Sequence, residues 1–127
     1  MRELILVGTG GFAGSVFRYA LGGAVQRFYG MPIFPAGTLA VNLLGCLLIG
    51  LIAGIAEVSH LISQEGKLLL ITGVLGGFTT FSAFGFETVY LLRRGLYAPA
   101  GGNVLASVVG GLLAVWLGLR IAELLLR

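Results

Sequence analysis

The residues from Gly76 to Ser82 carry the clearest chemical signal in this chain. They read Gly-Gly-Phe-Thr-Thr-Phe-Ser and lie in the middle of an apolar stretch from Leu68 to Leu92. Paired glycines followed by two threonines are poor helix formers. Because backbone groups cannot stay unpaired against hydrocarbon, the run predicts an interrupted helix whose freed carbonyls are covered by protein or coordinate an ion. The alternative is close helix packing at small residues.

Few polar side chains lie inside the apolar segments, so each can be weighed on its own. Arg18 is the only charge well inside one of them. It could attract an anion, or it could extend its charge to the membrane surface. Thr38 and Asn42 are four residues apart and therefore share one helix face. The side-chain N–H groups of Asn42 could donate to an anion or to a carbonyl of another helix.

Two phenylalanines, Phe81 and Phe84, are three residues apart and also share a helix face. Phenyl edges are electropositive, so two edges could contact an anion without the strong trapping that an ammonium group would cause. The alternative is ordinary core packing. Asn103 and Ser107 share a face further along the chain, and Ser107 could bond either a ligand or its own helix backbone. Glu87 lies near a helix end, where solvation is the simplest expectation.

The composition indicates an integral membrane protein of one compact domain, residues 1–127. Of 127 residues, 57% are hydrophobic and 10% are charged, against about 25% charged in a soluble domain. The net charge of +3 comes without a basic run, which argues against nucleic-acid binding. One cysteine, one histidine and no aspartate leave no intrachain disulfide, no metal cluster and no Ser-His-Asp arrangement. Nothing in the sequence indicates an enzyme.

The apolar runs predict an all-α membrane protein with four transmembrane helices. The runs are continuous and lack the period-two alternation of barrel strands. A charge-free run such as the second covers about 30 Å as a helix, enough to cross a bilayer. The third helix is predicted to be interrupted at Gly76–Thr80. The four predicted helices are about Leu4–Phe28, Gly37–Ala56, Leu68–Leu92 and about Ala100–Leu119.

The basic residues give almost no signal for one orientation in the membrane. With four spans, one side holds Arg2, Lys67, Arg120 and Arg127, which is four, and the other holds Arg27, Arg93 and Arg94, which is three. Orientation follows the Lys/Arg bias, so the chain could insert both ways and form an antiparallel dimer. The alternative is a single orientation set by details that this count misses.

Glycine pairs at four-residue spacing predict close helix contacts, within the chain and in part between subunits. Four short helices leave little room for a hydrated path inside one chain. A passage would therefore lie between subunits. The pairs are Gly10/Gly14, Gly50/Gly54 and Gly73/Gly77.

The motifs together resemble the Fluc/CrcB family of fluoride channels. Gly76 to Phe84 is similar to that family's Gly-Gly-x-Thr-Thr-Phe-Ser-Thr-Phe signature, and Gly14-x-x-x-Arg18 is similar to its first-helix motif. The segment from Gly37 to Asn42 resembles its Gly-Thr-x-x-Val-Asn. Ser107 with Gly110-Gly111 resembles its fourth-helix serine pattern. The resemblance covers all four predicted helices.

The resemblance implies a passive, dual-topology homodimer in the cell inner membrane that exports fluoride through two pathways. It implies that Phe81 and Phe84 present ring edges to the ion and that Asn42, with Thr38 nearby, lines the pathway. It further implies a hydroxyl from Ser107, with Arg18 in the aqueous vestibule. The last implication is a structural Na⁺ held by backbone carbonyls of Gly76 and Thr79 from both subunits.

Two positions depart from the family pattern. Ala83 stands where the signature has threonine, and Asn103 stands where many members have tyrosine. Neither affects the phenylalanine pair. The main rival interpretation is a small dual-topology multidrug/proton antiporter, whose intramembrane glutamate lies in the first helix, where this chain has Arg18. A structural subunit of a larger membrane complex is a second alternative.

Overall fold

The computed structural model describes all 127 residues, and every regular element in it is helical. Four helices are long and apolar enough to cross a membrane, as the sequence predicts. Each begins or ends a few residues beyond its predicted apolar run, because the helical backbone continues into the flanking polar residues. The four spans are Arg2–Tyr29, Ala36–Ser59, Gln64–Arg93 and Tyr97–Leu125.

The first span ends at a glycine, and a proline precedes the second. Gly30 adopts a left-handed φ of 74°, and its N–H donates to the carbonyl of Gln26. This conformation suits glycine, which has no Cβ to clash, and it satisfies one of the last carbonyls of the helix. Pro35 flanks the start of the second span. The short connection makes the two spans antiparallel neighbours.

The third span is the irregular one. Residues Leu68–Leu75 form a π-helix, a wider coil that is rare and occurs often near functional sites. A short α-helical turn, Gly76–Phe78, follows, and a regular helix runs over Phe81–Arg93. Between them lies a bend of two residues with extended backbone, Thr79 and Thr80.

The bend differs in extent from the interruption that the sequence predicts over Gly76–Thr80. Gly76, Gly77 and Phe78 are helical, and only the two threonines leave the helix. Glycine costs about 1 kcal/mol relative to alanine in a helix. Close approach to the first span accounts for its presence here, because a Cβ on Gly77 would lie 2.5 Å from the carbonyl oxygen of Gly11.

The four spans pack in two main pairs. The second packs along the fourth, and the first packs against the N-terminal half of the third. All three four-residue glycine pairs contact another helix of the same chain, where small residues let backbones approach. At Gly10, an added Cβ would lie 2.6 Å from the carbonyl oxygen of Leu69. These pairs are therefore used in helix packing within the chain.

Large apolar side chains cover much of the outer surface of the first and fourth spans. Phe12, Phe17, Leu112 and Trp116 are each more than half exposed. Such a surface is matched to lipid or to another apolar protein surface. At one end of the molecule, Arg2 donates to Glu65 at 3.0 Å and links the first span to the start of the third.

Candidate functional site

The bend in the third span is held by one side chain of the second span. Asn42 Nδ2 donates to the carbonyl of Thr80 at 2.9 Å, and Asn42 Oδ1 accepts from the N–H of Thr80 at 2.8 Å. The amide thus pairs with one residue's backbone as a neighbouring strand would. Because unpaired backbone groups are costly in a membrane, this pair makes an extended residue tolerable there. One N–H of Asn42 remains for another acceptor.

At the bend, the carbonyls of Gly76 and Thr79 lose the N–H donors that an intact helix would give them. The N–H of Thr80, the i+4 donor for Gly76, goes to Asn42 instead. The N–H of Ala83, the i+4 donor for Thr79, goes to Thr80 Oγ1 at 3.1 Å. Thr80 is therefore the N-cap of the helix that follows. Uncharged carbonyl oxygens suit a hard cation, so the donor set at Gly76 and Thr79 fits the implied Na⁺.

Arg18 contacts the same bend from the first span. Its Nε donates to the carbonyl of Gly77 at 3.0 Å. The hydrogen bond uses part of the guanidinium and ties the first span to the last helical turn before the bend. Arg18 therefore has a protein partner as well as solvent access, since it also lines an open groove.

The larger groove, of about 520 Å³, opens beside Arg18, Thr38 and Glu87. Thr38 Oγ1 donates to Glu87 Oε1 at 2.8 Å, while Glu87 Oε2 is buried without a hydrogen-bond partner in the chain. Glu87 is thus half-buried and bonded rather than simply solvated. Ala83, one of the two departures from the family pattern, lines this groove as well.

The smaller groove, of about 350 Å³, contains the phenylalanine pair. The ring centroids of Phe81 and Phe84 are 5.5 Å apart and the rings are tilted by 49°. Phe81 is 83% exposed, which makes core packing within this chain an inadequate explanation for it. Six of the predicted site residues line this groove, namely Asn42, Gly76, Thr79, Phe81, Phe84 and Ser107.

Ser107, which lines the smaller groove, has an unpaired hydroxyl. Its Oγ is buried and has no hydrogen-bond partner in the chain. Hydroxyls in helices commonly bond the carbonyl four residues earlier, as Thr88 does to Phe84 at 2.7 Å. Ser107 does not, so its own helix is not its partner. A buried unpaired hydroxyl in a native structure calls for an explanation such as an ion or ligand.

The eight predicted site residues divide between the two grooves. Arg18 and Thr38 line the larger groove, and the other six line the smaller one. Thr38 and Asn42 share a helix face, yet one helical turn separates them into different grooves. Thr80 lines both grooves.

Two residues with structural roles at the site were missed by the sequence reasoning. Thr80 pairs with Asn42 and caps the helix of the phenylalanines. The preference for threonine at helix N-caps is the signal that could have identified it. Gln26 bonds the carbonyls of Met31 and Phe34 and the N–H of Gly37. No local pattern marks it, since its partners lie in the connector and in the next helix.

Comparison with known proteins gives one consistent result. The family described as "CrcB-like protein, Camphor Resistance (CrcB)" matches residues 5–119. A relative from Methylobacillus flagellatus named "Fluoride-specific ion channel FluC" is 44% identical over 127 residues, covering 100% of this chain and 99% of the relative. Relatives of the same name from Opitutus terrae and Chlorobium phaeobacteroides are each 48% identical, covering 93% and 95% of this chain and 90% and 93% of the relatives.

Proposed function

The chain belongs to the CrcB family, and on that premise we propose that it is a passive channel for fluoride. The observation that carries the proposal is the similarity along the full chain to relatives named fluoride-specific ion channels. The family is one of ion channels and not of enzymes. Four membrane-spanning helices make this a multi-pass membrane protein, and we place it in the cell inner membrane.

The smaller groove supplies groups that suit a small anion. Fluoride is strongly hydrated, so it must exchange water for donors without being bound so tightly that it stops. The hydroxyl of Ser107 has no partner in the chain, and Asn42 keeps one N–H free after bonding Thr80. The edges of Phe81 and Phe84 add weak positive potential. We propose that these four side chains contact the ion in turn.

The larger groove serves as the aqueous end of the path in this proposal. Arg18 adds positive charge there, and Thr38 stands beside it with its hydroxyl bonded to Glu87. The attraction for anions is local to the guanidinium, because the carboxyl group of Glu87 lines the same groove. Because the hydrogen bond to Gly77 holds Arg18 near the bend, its charge lies close to the point where the two grooves meet.

We propose further that the working unit is an antiparallel homodimer with two such paths. The smaller groove is open on the chain's surface and Phe81 is mostly exposed, so a second copy could close the path. The nearly balanced count of basic residues on the two sides supports insertion in both orientations. The apolar outer faces provide surface for such a partner.

The experiment that tests the function is anion efflux from liposomes that contain only the purified chain. Fluoride should leave loaded vesicles without a proton gradient or nucleotide, and chloride should stay. Empty vesicles are the control. A requirement for an imposed proton gradient would favour the antiporter interpretation instead, and equal release of chloride would contradict selectivity for fluoride.

We propose that the carbonyls of Gly76 and Thr79 from two subunits hold a structural Na⁺ at the bend. Such an ion would neutralise the negative ends of four carbonyl dipoles where two chains meet. Assembly in a sodium-free buffer with a large organic cation should lower the dimer fraction on size exclusion, and restoring Na⁺ should recover it. A dimer fraction that is independent of Na⁺ over the assembly step would contradict this proposal.

A further inference from the structure

Asn103 is a buried amide that neither groove uses. It lies in the fourth span with 1% of its surface exposed, and it lines neither the larger nor the smaller groove. A polar side chain buried among membrane helices is costly unless it is bonded. Its partner therefore indicates what it does.

The partner is Thr88, on the C-terminal half of the third span. Asn103 Nδ2 donates to Thr88 Oγ1 at 3.0 Å, and Thr88 Oγ1 donates to the carbonyl of Phe84 at 2.7 Å. A hydroxyl has only one proton to give. The hydroxyl donates that proton to the carbonyl of Phe84, so Thr88 Oγ1 must accept the hydrogen bond from Asn103. The two hydrogen bonds therefore run in one direction, from Asn103 through Thr88 to Phe84.

The chain of bonds lies one helical turn from the phenylalanine groove. Thr88 follows Phe84 by four residues, and Asn103 precedes Ser107 by four. The third and fourth spans run antiparallel because Gly95 turns the chain between them. Phe84 and Ser107, which both line the smaller groove, therefore lie one turn from the Asn103–Thr88 bond on the same two helices. The bond fixes how the two helices are rotated against each other at that next turn.

We propose that Asn103 is a positioning residue that holds the ring of Phe84 opposite the hydroxyl of Ser107. It acts through Thr88 and does not touch the ion. Without Asn103, Thr88 still donates to the carbonyl of Phe84, but the hydrogen bond between the third and fourth spans at Thr88 is lost. The inference rests on the proposed function only where fluoride flux is the readout.

Four variants separate this role from its alternatives. Asn103→Leu and Thr88→Val each remove the interhelical bond and keep the number and branching of the side-chain heavy atoms. Thr88→Ser keeps the hydroxyl. Thr9→Val is the matched control, because Thr9 bonds only carbonyls of its own helix. We expect either of the first two to lower fluoride flux about threefold. This is the change in an equilibrium that corresponds to the free energy of an average interhelical hydrogen bond in a membrane.

The double variant, Asn103→Leu with Thr88→Val, should be no slower than the worse single variant, because both remove the same bond. Thr88→Ser and Thr9→Val should conduct as the unmodified chain does. Loss of flux in Asn103→Leu with normal flux in Thr88→Val would overturn the proposal, because Asn103 would then not act through Thr88. Multiplying losses in the double variant would overturn it too.

A spectroscopic readout decides the matter independently of conduction. A single 4-fluorophenylalanine at position 84 reports the ring's surroundings through its ¹⁹F resonance. Asn103→Leu and Thr88→Val should shift that resonance in the same direction, and Thr88→Ser should leave it in place. An unmoved resonance in both variants would refute the positioning role. If the unmodified chain passes no fluoride, the channel proposal fails, and this resonance still tests Asn103.

Discussion

At the scale of single residues, the ring edges of Phe81 and Phe84 can be tested by substitution. Ile keeps apolar bulk and removes the electropositive edge. We expect Phe81→Ile and Phe84→Ile each to lower fluoride efflux by about two- to tenfold, taking the contact of a ring edge with the anion to be worth as much as an aromatic pair, about 0.5–1.5 kcal/mol. Phe28→Ile is the control, since Phe28 is exposed at the end of the first span. Full flux in both test variants would show that neither ring edge contacts the ion.

The residue types at the site were predictable, and most of their partners were not. The sequence left open whether Asn42 bonds an anion or another helix, and in the structure it bonds the backbone of Thr80 on the third span. The sequence also left open whether Ser107 bonds a ligand or its own helix backbone, and in the structure its hydroxyl has no partner in the chain. Partners depend on how each helix is rotated against its neighbours. Spacing within one helix does not determine that rotation.

At the scale of elements, the cap of the helix after the bend makes a sharp test. Thr80 Oγ1 accepts the N–H of Ala83. Thr80→Val removes that acceptor at nearly constant volume, and we expect it to lower stability by about 1 kcal/mol. Thr80→Ser keeps the oxygen and should be close to the unmodified chain. Thermal unfolding in detergent measures both, and equal midpoints for Val and Ser would show that the cap contributes nothing.

The same span shows where prediction from sequence stops. All four helices were predictable from continuous apolar runs, and the glycine-threonine run correctly drew attention to the third. The π-helix over Leu68–Leu75 had no sequence signal, because a uniform apolar run is compatible with either helix type. The bend was predicted to start at the glycines, but Gly76 and Gly77 are helical, and Gly77 packs closely against the first span.

At the scale of the whole molecule, the count of four basic residues against three predicts insertion in both orientations. Two lysines added at the C-terminus should fix one orientation and lower fluoride efflux, because antiparallel pairs would become rare. Two glutamines added at the same place are the control. Terminal reporters on the unmodified chain measure the starting distribution. A single orientation there would contradict dual topology.

Thr80 is the only residue that lines both grooves, and this has an electrical consequence. Water in the larger groove, which extends from the connector at Pro32 and Pro35 to Thr80, would carry the potential of one bathing solution to the bend. The membrane voltage would then fall over the part of the protein beyond Thr80 rather than across the whole bilayer. An ion crossing that part would gain about 2.3 kcal/mol per 100 mV. Voltage would therefore act on the movement beyond Thr80, and movement along the larger groove would be nearly insensitive to it.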